Sequence, residues 1–213
     1  MGKGCIPDIR NIDVKRSRPF LNHHLKTIFV HVPKAAGTSI ENHLRQTDKD
    51  VVGGHTTALA YRRKYPEEFA SYFKFAVVRD PVDRFVSAYS YLKQMKVHAA
   101  LNNQIVHDSE SMDHFAQKVK ESPGILGNIV HLLPQHQFVC DQKGEILVDT
   151  VFRFENLEDA WPEICNRVGI PPAPLAKLNP SRRAAKQEAT DEVLSLVRSA
   201  YARDFEIFAY TPP

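Results

Sequence analysis

Residues 27 to 40, Thr-Ile-Phe-Val-His-Val-Pro-Lys-Ala-Ala-Gly-Thr-Ser-Ile, constrain this chain more than any other stretch, because they read as a buried strand, a tight turn and a helix start. A turn of this kind cradles anions. The leading N–H groups of a helix have no partner within it, and the helix dipole adds positive potential at the same end. Lys34 supplies a mobile full charge beside Ala35, Ala36, Gly37, Thr38 and Ser39. A nucleoside triphosphate loop would read G-x-x-x-x-G-K-[ST], with its lysine after the second glycine; here Lys34 precedes the single Gly37. The plainer alternative is that Pro33 and Gly37 merely shape a turn while Thr38 or Ser39 caps the helix.

A second strand-to-helix unit occupies residues 73 to 91, Phe-Lys-Phe-Ala-Val-Val-Arg-Asp-Pro-Val-Asp-Arg-Phe-Val-Ser-Ala-Tyr-Ser-Tyr. Asp80 suits the N-cap and Pro81 the first helical position. On that helix Val82, Phe85, Val86, Tyr89 and Leu92 form the apolar stripe, which leaves Arg84, Ser87 and Tyr91 on the far side. An arginine at the end of a strand and a hydroxyl further along the helix make a clamp for a second phosphate, since guanidinium grips phosphate bidentately. The alternative pairs Arg79 and Arg84 with Asp80 and Asp83 on the surface.

Strands alternating with helices predict an α/β fold: a single domain with a central, mostly parallel sheet flanked by helices, entered through a P-loop-like strand–loop–helix. Residues 1 to 26 read as a basic irregular arm and 27 to 213 as the domain. Strands are expected at 27 onward, 51–54, 73–79, 136–140 and 149–154, and helices at 81–96, near 112–120, at 157–168 up to Gly169, and from Asp191. Lys34, His55 and Arg79 each follow an expected strand, the end at which α/β sheets bind ligands. The stretch from 97 to 134 is either a lid over an acceptor or an ordinary helical insert.

A chain of 213 residues with 43% hydrophobic content can bury a substantial core. Its formal charge of +3 is too small to argue for a nucleic-acid partner. Cys5, Cys140 and Cys165 are odd in number and far apart, which suggests neither a disulfide framework nor a zinc site. No apolar run approaches a membrane span and the N-terminus is too polar for a secretory signal.

Together PKAAGTS and RDPVDRFVSAY resemble the two signature segments of sulfotransferases that use 3′-phosphoadenosine 5′-phosphosulfate, in particular the carbohydrate-type branch with heparan sulfate 2-O-sulfotransferase and small bacterial relatives. The resemblance implies that Lys34 through Ser39 bind the 5′-phosphosulfate, while Arg79 and Ser87 bind the 3′-phosphate. Family loops often carry Thr-Gly or Thr-Ala where this chain has Ala35-Ala36, which removes a hydroxyl but no backbone donor. Gly54-His55 resembles the pair whose histidine is the base in the 2-O-sulfotransferase branch, so His55 is the expected base, with Glu155 and Glu41 in reserve. His31 reads as a surface or satisfied core histidine. Phe152 to Leu157 and Tyr201 to Tyr210 resemble later family segments, and Arg182 or Arg183 either touches the donor or lies on a solvated turn.

The reaction the resemblance implies moves the sulfuryl group to an acceptor hydroxyl, expected on a carbohydrate, releases 3′,5′-adenosine bisphosphate and needs no metal. Lys34 is expected to stabilise charge on the leaving side. Animal members carry a Golgi membrane anchor; the polar start of this chain leads to the expectation of a bacterial-type cytoplasmic enzyme rather than a trimmed luminal one. Two rival readings are an ATP-dependent phosphotransferase and a nucleotide-binding protein without catalysis.

Overall fold

In β2, Thr27–Val30, all four residues are buried, as expected of an inner strand covered on both faces. The computed structural model describes residues 19–47, 53–95, 104–175 and 189–213. These residues form two compact units: those within 19–79 and 135–175 make one, and those within 80–134 and 189–213 the other.

The first unit holds the sheet. Its strands run in the order β1 (Leu21–Asn22), β2, β3 (Phe73–Val78) and β4 (Thr150–Arg153). β1 is antiparallel to β2, whereas β2, β3 and β4 are parallel. Phe29 stands opposite Phe75 with ring centroids 4.9 Å apart, and Phe152 meets Phe75 at 6.2 Å, so one ring from each parallel strand joins a continuous row. Burying each such ring is worth about 1.5–3 kcal/mol. The expected α/β class with a mostly parallel sheet is therefore present.

Helices α1 (Gly37–Leu44), α2 (Ala58–Lys64) and α3 (Pro66–Ser71) lie between β2 and β3 in sequence. Neither α2 nor α3 is anticipated from periodicity, because both are shorter than the window over which an apolar stripe becomes visible. β1 falls within the stretch read as an arm, where Phe20 and Leu21 are buried; residues 1–18 of that stretch lie outside the described residues. Of the strand expected at 51–54, the first two residues also lie outside them, and Gly53 and Gly54 are irregular chain.

The strand expected at 136–140 is instead a single helical turn, His136–Val139. The Cys140 N–H closes it on the His136 carbonyl at 2.8 Å, and only a lone bridge from Cys140 to Ile146 has strand character. The strand is expected as one flank of the turn at Asp141 to Gly144; beside it Gln135 makes tertiary bonds, described below. α9, Leu157–Val168, ends at Gly169 in the left-handed region, φ 80°, as its sequence requires.

The second unit is helical. Asp80 caps α4 (Pro81–Gln94), accepting from the N–H groups of Val82 at 2.9 Å and Asp83 at 3.2 Å, with Pro81 in the first turn. Val82, Phe85, Val86, Tyr89 and Leu92 are buried as the stripe predicts. Short helices at Gln104–His107 and Gly124–Asn128 bracket a longer one at Met112–Glu121, and two more span Asp191–Ala200 and Ala202–Ile207. Val106, Phe115, Val119, Leu126 and Leu132 join the same core as Phe85, so residues 104–134 are a packed helical insert.

Candidate active site

After β2 the chain turns through buried Val32 and Pro33 to Lys34 and Ala36, whose φ values of 67° and 63° both lie in the left-handed region. Non-glycine residues persist there only when their surroundings hold them, at a cost of about 1–3 kcal/mol each. Ala36 is the N-cap of α1, and no side chain caps the helix, so the alternative in which Thr38 or Ser39 does so is set aside. Thr38 is exposed and Ser39 half-buried.

Gly37 is required by what lies beneath it. A Cβ at that position would stand 1.9 Å from the His31 ring. His31 is buried, stacks on Phe29 at 5.8 Å and donates from Nδ1 to Glu41 Oε1 at 2.8 Å. Glu41 is itself buried and accepts from Arg45 through its other oxygen at 2.9 Å. His31 thus matches the reading of a satisfied core histidine, while Glu41, offered as a reserve base, is engaged by both neighbours.

Arg79 leaves β3 under tight backbone control. Gln135 accepts from the Arg79 N–H at 2.9 Å and donates to the Arg79 carbonyl at 2.7 Å, so one buried amide holds both backbone groups. The guanidinium lies over the Phe154 ring at 4.5 Å, and Nη1 reaches the Lys34 carbonyl at 3.5 Å. Arg79 is buried, which rules out the surface-pair alternative for it. Burial and, secondarily, the Arg79 charge lower the Lys34 ammonium to a pKa of about 8. Two cations held this close favour an anion between or beside them.

His55 joins the same group. Its Nδ1 lies 3.2 Å from the His31 carbonyl oxygen, and the two imidazoles meet edge to face at 4.5 Å. A carbonyl only accepts, so Nδ1 carries a proton. The structure therefore gathers Lys34, Gly37, Arg79 and His55 around one loop. A sulfotransferase family model matches residues 18–211.

The chain belongs to the sulfotransferase family. Sulfuryl transfer is that family's general chemistry. Comparisons with curated proteins and with solved structures give no match.

Ser87 of this sulfotransferase lies in the helical unit, half-buried on the second turn of α4. Arg84 corrects the reading of the helix's far side: it is fully buried and donates to the carbonyls of His131 at 3.1 Å and Leu133 at 2.8 Å. Tyr201 donates to the intervening Leu132 carbonyl at 2.7 Å and lies 5.2 Å beneath the guanidinium. A polar residue off the apolar stripe is normally solvated; two carbonyls from a distant turn make this one a core residue. Glu155, the other reserve base, is exposed, and Arg182 and Arg183 lie outside the described residues. Sequence reasoning missed Gln135 entirely, because nothing local distinguishes a glutamine that clamps a backbone. Among the described residues no helix is long and apolar enough to cross a membrane, and no cluster of three or more His, Cys, Asp or Glu is arranged to hold a metal ion.

Proposed function

We propose that this sulfotransferase uses 3′-phosphoadenosine 5′-phosphosulfate as donor and a carbohydrate hydroxyl as acceptor, with His55 as base. The observation that carries the reading is the convergence of Lys34, Arg79 and the uncapped start of α1 on one strained loop. The donor set fits a doubly anionic nucleotide: two cations, helix-end N–H groups and the hydroxyls of Thr38 and Ser39 all offer protons. When bound, the donor supplies a sulfuryl group on a good leaving group.

This chain's residues do the rest. Ala35, Ala36, Gly37, Thr38 and Ser39 bind the 5′ end, and Lys34 meets the negative charge that grows on the leaving side. Arg79 holds the 3′-phosphate, for which the sequence resemblance also assigns Ser87. His55 Nε2 takes the proton of the attacking hydroxyl, general-base help typically worth ~10²–10⁴ in rate. The same reading sets the enzyme in the cytoplasm, in keeping with its likeness to small bacterial relatives.

Binding tests the donor first. 3′,5′-Adenosine bisphosphate should stabilise the fold without magnesium, by about 2.7 kcal/mol at one hundred times its dissociation constant. Equal stabilisation by ATP, or none by either nucleotide, defeats the reading. His55→Ala should then lose transfer of labelled sulfate by ~10²–10⁴ while still binding the bisphosphate; unchanged transfer removes His55 as base.

A further inference from the structure

Two glycines locate a fixed object within the sheet unit. A Cβ on Gly37 would strike the His31 ring at 1.9 Å, and a Cβ on Gly53 would strike Glu41 Oε1 at 2.0 Å. Gly37 belongs to the loop that carries Lys34, and Gly53 lies two residues before His55. Both segments therefore pack by their bare backbone on the same His31–Glu41 pair. Glu41 reaches His31 across ten residues and is steadied by Arg45 one turn further along α1. His31 then touches His55 twice, through its carbonyl at 3.2 Å and through its ring at 4.5 Å.

We propose that His31 and Glu41 are positioning residues for the transfer: Glu41 locks the His31 imidazole, and His31 holds both the loop glycine and His55, keeping the latter in the tautomer whose Nε2 is basic. The proposal rests on the reading of His55 as the base. Its physical content is geometric. Glu41 accepts the Nδ1 proton of His31 and so fixes which edge of that ring faces Gly37. The ring, backed by Phe29, in turn limits how far the His55 imidazole can swing. A shift of about 1 Å between a catalytic group and its substrate can cost ~10²-fold in rate.

The test uses the full chain with ¹⁵N-labelled histidine, in which ring-nitrogen shifts report the His55 tautomer directly and His55→Ala assigns the signals. Wild-type protein should show the Nδ1–H form. Glu41→Ala and His31→Phe, the latter keeping ring volume, should show a mixture of tautomers, and their kcat should fall by up to ~10²-fold. The dissociation constant of 3′,5′-adenosine bisphosphate should change far less in Glu41→Ala. Glu41→Gln, which keeps an acceptor for Nδ1–H, should recover most of kcat. An unchanged His55 tautomer in Glu41→Ala and His31→Phe, or a loss of kcat no larger than the loss of folded protein, overturns the proposal. Absence of sulfate transfer by the wild-type protein defeats the functional reading instead, and the tautomer comparison still decides whether His31 and Glu41 hold His55.

Discussion

Arg79 and Arg84 are five residues apart, both buried and both laid over an aromatic ring, yet they serve different regions. Arg84 sits inside the helical unit, where its hydrogen bonds to the His131 and Leu133 carbonyls are short and its ring partner, Tyr201, binds the carbonyl between them. Arg79 is gripped at its backbone by Gln135, while its guanidinium lies over Phe154 and reaches the Lys34 carbonyl at 3.5 Å. One arginine has its head committed to architecture. The other has its backbone committed and its charge directed at a strained loop. Burial alone does not tell the two arginines apart; the segments their head groups reach do.

The largest expected effect breaks that contrast at its structural end. Arg84→Ala removes two buried hydrogen bonds and most of a core side chain, and should cost about 3–5 kcal/mol in urea unfolding. Arg79→Ala should cost clearly less stability yet abolish 3′,5′-adenosine bisphosphate binding. If Arg79→Ala proves the more destabilising of the two, the division between them is wrong.

Gly37→Ala should follow, at about 1–3 kcal/mol, because the His31 ring must move to admit the methyl group. Calorimetric melting measures it, and a melting temperature equal to wild type would show that the ring does not press on the loop.

The smallest effect concerns pH. Lys34 titrates near 8 in the folded chain, below its ordinary value of 10.5, so the folded state binds fewer protons across that window and stability rises with pH between the two values. A bound anion reverses the preference by favouring the ammonium. Affinity for 3′,5′-adenosine bisphosphate should therefore fall as pH rises through about 8. Titration calorimetry across that range checks it, and Lys34→Arg, charged throughout, should flatten the profile.

Legibility in the sequence followed the range of the determining contacts. The cap at Asp80 with Pro81 and the stop at Gly169 depend on neighbours within a turn, and the structure has them where the residues predict. The segment 136–139 does not: its place before the turn at Asp141 to Gly144 suggests a strand, but Gln135 is tied to Arg79 across 56 residues and the chain coils into a turn. Arg84 is a parallel case, since the carbonyls that bury it lie 47 and 49 residues away.

The sequence by itself determined the strand–loop–helix at residues 27 to 44, the α/β class and the family, because strand, cap and loop signals are written in residues that touch one another locally. Only the tertiary structure decided that Gly37 and Gly53 both rest on His31 and Glu41, that Arg79 is oriented by Gln135, and that the Nδ1 of His55 faces the His31 carbonyl. The physical reason is that buried polar groups must find partners somewhere, and the partners that satisfy these lie across the fold, where no local pattern announces them.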